Sequence, residues 1–369
     1  MRLAINASYS GAKTFALEVF TREVVQWLCR IDENTIVFSP TLIPGVNESN
    51  IVLTSEATGA PAVSYFSNLM FNNTILPYQL ASHRADVLFC PATEFPFVDV
   101  LPMPVMIMIH DVDPLFYPER FGLMGEYFKT ALGHLHRQDI RALVVSNFLR
   151  EQLLNNTGMH LSNIDIIRHG FDSQAFRVAK SDIRYDLLSE FAEHLGFSLP
   201  YILFCVEPGS AAMCDTVIAA FNDIKSRIRH SLLIVGLDRE PSHNIQYLGS
   251  VDAVDMPPLL SCADLLIESS NAGNILEAMA SGTPAIVSNT GALPEFVCDP
   301  EVLFNPSDSM SLSRGILRAI ADKTLKQEMI DKGLKYVTRF SWEKTAEDIY
   351  ASCVAAYKAS YDRRQKTNK

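Results

Sequence analysis

Residues 268–289 read ESSNAGNILEAMASGTPAIVSN. Small polar residues lead into a short apolar segment holding one acid, Glu277, and no Lys or Arg occurs anywhere in the stretch. A Gly-Thr-Pro break and the run Ala285–Ser288 follow. Loop, helix and strand in that order make one unit of a parallel α/β sheet. Two readings of the helix compete. Asn274, with Glu277 three residues on, has the spacing of an N-cap and its reciprocal acid, and Gly282 that of a C-terminal stop. The same helix start also presents unpaired N–H groups and the positive end of a dipole, which suits a diphosphate. Ala272 and Gly273 leave room for close backbone approach, the amides of Gly273, Asn274 and Ile275 would face phosphates, and a first-turn carboxylate at Glu277 would accept from ribose hydroxyls. The stretch alone leaves both readings open.

Working outward, apolar runs alternate with amphipathic segments. RLAIN (2–6), TIVFS (35–39), DVLFC (86–90), VMIMIH (105–110), ALVVS (142–146) and IDIIRHG (164–170) read as strands, with helical stretches at 14–29, 121–136 and 147–156. Residues 172–198 are charged and mixed, with weak helical periodicity. The alternation restarts with YILFCV (201–206), a helix at 213–227, HSLLIVG (230–236), IQYLG (245–249), a short helix after Pro257–Pro258, and DLLIES (264–269). The close is helical at 309–321, 323–338 and 342–360, and YDRRQKTNK (361–369) reads as a polar, frayed tail. The expectation is two doubly wound Rossmann-like α/β domains, 1–172 and 200–341, a linker at 173–199, and a closing helical segment with its tail at 342–369. Ligands in such sheets sit at the carboxyl ends of strands, so the cleft between two facing domains is the expected site.

The 369 residues fit about two domains. With 48% hydrophobic and 20% charged residues the chain can bury a large core. The formal net charge of −11 argues against nucleic acid as a partner and against a strong electrostatic hold on anionic lipid. No apolar run reaches the roughly 18 residues of a membrane span. The start, MRLAINASYS, has no apolar signal core, which leads to an expected cytoplasmic location. Seven cysteines at 29, 90, 205, 214, 262, 298 and 353 form no C-x-x-C pair and read as buried thiols, not zinc ligands. No cofactor is expected, and the absence of G-x-G-x-x-G after the first strand excludes a Rossmann oxidoreductase.

LLIESSNAGNILEAMASGTPAIVSNTGALPEFV (265–297) resembles the donor-site signature of glycosyltransferase family 4, retaining enzymes of the GT-B fold. That signature runs E-G-F-G, four residues, E-A-M-A-x-G-x-P, a strand and L-P-E; LEAMASGTP (276–284) and ALPE (292–295) match it closely. The resemblance extends through LAINA (3–7), IHDVDPLFYPERF (109–121), VVSNFLREQL (144–153), IIRHGFD (166–172) and YILFCVEP (201–208), in the family's order. It implies a GT-B architecture in which the C-terminal helix, 342–369, crosses back to the N-terminal domain, a nucleotide-sugar donor (GDP- or UDP-sugar) and a glycan or lipid-linked acceptor. It implies that Glu277 holds the ribose, that His110 faces the donor sugar, and that the leaving diphosphate assists the attacking hydroxyl, with no metal. The HDVDPLFYPE form looks most like mannosyl- or related transferases of surface-polysaccharide assembly. A lone strand-end His is more often structural, so His110 carries that bland reading beside the catalytic one.

Three departures stand out. The family's first signature Glu falls on Ser269, and Glu268 is one residue too early. The Arg and Lys that neutralise the donor diphosphate are missing from VEPGSAAMCDTV (206–217), and the nearest Lys is Lys225. The Gly-rich loop after the first strand is YSGAKTF (9–15), with only Gly11 retained. Cations at a departing diphosphate are a large catalytic term, so Lys13 and Arg168 are the candidate substitutes, each equally readable as a surface charge, and a bound metal ranks last. Two functional readings follow: an active retaining transferase, or a catalytically impaired GT-B-like binding or partner subunit. Residues 115–137, with Lys129 and Arg137, offer a peripheral contact at the inner face of the membrane, against the plainer reading of an amphipathic surface helix.

Overall fold

The computed structural model describes residues 1–8, 15–54, 70–93, 96, 101–137, 139–178, 192, 197, 199–206, 211–242, 244–270 and 272–367. The chain divides into two compact units, Met1–Gly170 with Trp342–Lys369, and Phe171–Ser341.

Seven parallel strands form the sheet of the first unit: β1 (Leu3–Asn6), β2 (Ile36–Ser39), β3 (Ile51–Leu53), β4 (Val87–Cys90), β5 (Val105–Ile109), β6 (Ile140–Val144) and β7 (Ile164–Ile166). Their order is β3-β2-β1-β4-β5-β6-β7. Strands β1, β2, β4 and β5 are buried along their whole length. That is why they read as continuous apolar runs and not as alternations. The order reverses between β1 and β4, where chain ends diverge and open a crevice beyond the carboxyl ends of the strands.

Helix α1 (Phe15–Ile31) follows β1, and α11 (Trp342–Thr367) packs along it. Ala346, Ile349 and Cys353 of α11 are fully buried. Its polar ties are Thr345 Oγ1 donating to the Arg168 carbonyl at 2.8 Å, Tyr350 Oη donating to Asp32 at 3.1 Å, and Ser352 Oγ donating to Asp165. Asp165 also takes both of its oxygens to Arg141 Nη2 at 3.0 Å. The frayed-tail expectation is wrong for residues 361–367, which continue α11. Arg, Gln and Lys propagate helix well, and Arg364 and Lys366 lie at the negative end of its dipole.

The second unit holds six parallel strands, β8 (Tyr201–Cys205), β9 (Ser231–Val235), β10 (Ile245–Tyr247), β11 (Leu265–Glu268), β12 (Ala285–Ser288) and β13 (Leu303–Phe304). They are ordered β10-β9-β8-β11-β12-β13. Among the described residues, the intervening helices are α6 (Ala211–Ile224), α7 (Met256–Cys262) and α8 (Ala272–Ala280), with α9 (Ser309–Ala321) and α10 (Lys323–Val337) closing the unit. Phe204, Phe221, Leu232, Ile267 and Ile316 form the centre of one core cluster. Helix α7 begins before Pro257 and Pro258 instead of after them. Proline is tolerated in a first turn, where its missing N–H is one of the unpaired ones. Because all pairings are parallel, every carboxyl end lies on one edge, and the order reverses between β8 and β11. The quoted stretch is the β11–α8–β12 unit beside that reversal. Most of the expected linker, 173–199, lies outside the described residues.

Candidate functional site

The reversal point of the second unit is built around a buried acid. Glu268, last residue of β11, is 0% exposed. Its Oε1 accepts from the Ser269 and Ser270 amides, both at 2.8 Å, and from Ser270 Oγ at 3.3 Å. Its Oε2 accepts from Asn274 Nδ2 at 2.7 Å. A carboxylate without donors would be costly here; with four it becomes the hub that curls the loop back on the strand. Ser269 therefore enters the site through its backbone.

Helix α8 opens at Ala272, so Asn274 is its third residue, not an N-cap, and its side chain serves Glu268. Ala272, Gly273 and Asn274 are partly exposed, while the Ile275 side chain is fully buried. Glu277 lies in the second turn rather than the first, so the reciprocal-cap reading does not hold. The residue is partly exposed, and its carboxylate takes no hydrogen bond from a described residue. Burial, then the charges of Glu268 and Asp172, push its pKa up to about 7. A half-ionised carboxylate lacking donors beside a helix start is suited to receive paired hydroxyls.

In the first unit His110 follows β5 directly. Its Nε2 lies 2.7 Å from the Pro91 carbonyl. That oxygen can only accept, so the neutral ring carries its proton on Nε2 and leaves Nδ1 as a lone-pair acceptor. Burial lowers the pKa of His110, against the Pro91 hydrogen bond, which raises it. The ring packs edge-on to Phe20 at 4.7 Å and 5.5 Å from His169. His169 also packs on Phe20 at 5.0 Å and on Trp342 at 6.2 Å. Among the described residues its buried Nε2 has no hydrogen-bond partner, and burial with the nearby His110 pushes its pKa down to about 3. A neutral His110 with Nδ1 free can accept from a sugar hydroxyl but cannot act as an acid through that atom.

Gly11 and Lys13 lie outside the described residues. Arg168 Nη1 donates to the Val145 carbonyl at 2.9 Å, which engages the guanidinium inside the first unit. The sequence reading missed His169 and the hub role of Glu268. Within HDVDPLFYPE, Asp111 Oδ1 accepts from the Asp113 amide at 2.8 Å.

Residues 200–336, within the second unit, match the model of the glycosyl transferases group 1 family. The chain is similar to this family over that segment. An Escherichia coli O-antigen chain mannosyltransferase B is 35% identical over 112 residues, 29% of each chain. A phosphatidyl-myo-inositol mannosyltransferase of Mycobacterium leprae (strain TN) is 27% identical over 242 residues, 60% of this chain and 61% of that one. The alignments thus span less than two thirds of these relatives. The solved structure of Anabaena Alr3699/HepE in complex with UDP-glucose superposes with a TM-score of 0.69 at 16% identity, covering 96% of this chain and all of the other. A glycosyltransferase from Rickettsia africae ESF-5 gives 0.66 at 17% identity over 98% of both chains. The chain accordingly has the two Rossmann-like parallel-sheet units of the GT-B fold.

Proposed function

We propose that this chain is a retaining glycosyltransferase that moves a hexose, with mannose the first candidate, from a GDP- or UDP-sugar to a glycan or lipid-linked acceptor in surface-polysaccharide assembly. The observation that carries the reading is Glu277: a partly exposed residue whose carboxylate has no donor among the described residues, one turn past the start of α8 at the reversal point of the second unit's sheet. It holds the ribose, and the amides of Gly273, Asn274 and Ile275 meet the phosphates. His110 accepts from a donor-sugar hydroxyl through Nδ1. In the reaction the anomeric C–O bond to the diphosphate breaks, and the acceptor oxygen bonds that carbon on the same face. The acceptor proton passes to the departing phosphate oxygen, so no protein base is required.

The mannosyltransferase relatives support mannose. The UDP-glucose complex of the Anabaena neighbour supports a nucleotide sugar as donor. On the acceptor side the proposal uses residues 115–137, where Phe116 and Tyr117 stand exposed and Arg120 lies 4.0 Å from the Tyr117 ring centroid. The partner-subunit reading draws no support from these relatives. The test is incubation of the full chain with GDP-mannose, GDP-fucose, UDP-glucose and UDP-galactose, reading nucleotide release and binding. Release of GDP from GDP-mannose, abolished in His110→Ala, is the expected outcome; a chain that neither binds nor cleaves any of the four ends the proposal.

A further inference from the structure

Six loops leave the carboxyl edge of the second unit's sheet: 206–210, 236–244, 248–255, 269–271, 289–292 and 305–308. Arg239 is the only Lys or Arg in them. The same loops carry Glu207, Asp238, Glu240, Asp252, Asp255 and Asp308, and Glu268 closes β11. An edge so acidic repels a diphosphate unless a cation meets it.

The loop that bears Arg239 is pressed toward the reversal point. Gly236, at φ +90°, lies so close to the end of β8 that an added Cβ would sit 2.0 Å from the Val206 carbonyl oxygen. Gly236 N donates to the Gly249 carbonyl at 2.6 Å, and Gly249 N to the Leu237 carbonyl at 3.2 Å, which locks the loops after β9 and β10 together. Only Gly permits that approach at that φ. The Arg239 loop thus leaves the sheet beside Val206, the first residue after β8.

Among the described residues the guanidinium has one exposed ion-pair partner and the Tyr247 hydroxyl as a hydrogen-bond partner. Arg239 Nη1 lies 3.8 Å from Asp215 Oδ1, with the two side chains 42% and 78% exposed, and Tyr247 stands beside it. A solvent-exposed pair at that distance holds its partners weakly. The planar fork of Arg matches two phosphate oxygens at once.

We infer that Arg239 is the cation that binds the diphosphate of the donor, supplied from the loop after β9 in place of the pair missing from 206–217. This rests on the nucleotide-sugar reading above. Binding of GDP, UDP, guanosine and uridine to the full chain tests it, by calorimetry for the nucleotides and ligand-observed NMR for the nucleosides. Arg239→Gln, an exposed substitution with the melting temperature held as its folding control, is expected to weaken the bound nucleoside diphosphate by about tenfold or more. It should leave the matching nucleoside within about twofold, and Arg239→Lys should fall between. Unchanged diphosphate affinity in Arg239→Gln, or an equal loss for nucleoside and diphosphate, overturns the inference. Wild-type protein that binds neither GDP nor UDP overturns the parent reading, and this one with it.

Discussion

Glu277 gives the site a measurable charge signature. Its pKa rises from 4.5 to about 7 on folding. The native state therefore binds more protons than the unfolded chain between those values, and stability contributed at low pH is lost as pH rises through that window. At about 1.4 kcal/mol per unit the loss approaches about 3 kcal/mol. Relative to Glu277→Gln, the wild-type chain should lose that much stability between pH 4 and 8 in urea titrations; parallel curves would show that the carboxylate is not so placed. On the proposed reading, in which ribose hydroxyls donate to the ionised form, Glu277→Gln should weaken GDP or UDP binding about tenfold or more while its melting temperature at pH 8 does not fall. Such a split separates a ligand-binding acid from a capping one, whose loss would lower both. His169 shows the opposite linkage: with its pKa pushed down to about 3, its burial favours the fold above the ordinary histidine range and opposes it in acid. The His110–His169 pair is thus neutral at physiological pH, as an acceptor role for Nδ1 of His110 requires.

The β11–α8 connection shows how one buried acid organises an element. Removing Glu268 leaves the Ser269 and Ser270 amides and Asn274 Nδ2 without their acceptor. Glu268→Ala should cost about 2–4 kcal/mol in chemical denaturation. Glu268→Gln keeps one oxygen for the two amides, and Asn274 can turn its own oxygen toward the new NH₂, so the loss there should stay under about 1.5 kcal/mol. Equal losses in the two variants would mean that volume, not donor satisfaction, holds the loop. The alternation of apolar runs made the two sheets, the Glu277 helix and the strand-end position of His110 legible, because burial on both faces leaves a strong local pattern. Cap geometry was not legible: the Asn274–Glu277 spacing fits a reciprocal cap, yet Asn274 answers to an acid six residues back. His169 escaped because its significance lies in ring contacts to Phe20, His110 and Trp342, residues far apart in the chain. Strand β13 has two residues, and β3 three, too few for any period to register.

The order of the chain and the order of its units differ, because the last 28 residues, 342–369, belong with the first 170. Helix α11 supplies Trp342 against Phe20 at 5.8 Å, and three fully buried side chains, Ala346, Ile349 and Cys353. It also satisfies the Arg168 carbonyl and Asp165 through Thr345 and Ser352, and reaches Asp32 through Tyr350. Apolar burial of that extent is worth on the order of 5 kcal/mol, comparable to the whole stability of a domain. A chain ending at Ser341 should therefore lose protection in β1, α1, β6 and β7 by hydrogen exchange, because their partner surface is gone and Asp165 loses one donor. Strands β8 to β12, whose core cluster lies within residues 202–319, should exchange as in the full chain. Because His110 and His169 share Phe20 with Trp342, the truncated chain should also lose sugar transfer while it still binds GDP or UDP through the second unit. Uniform deprotection of both units, or nucleotide binding lost together with transfer, would show that the helix supports the fold as a whole and that the donor site does not reside in the second unit by itself.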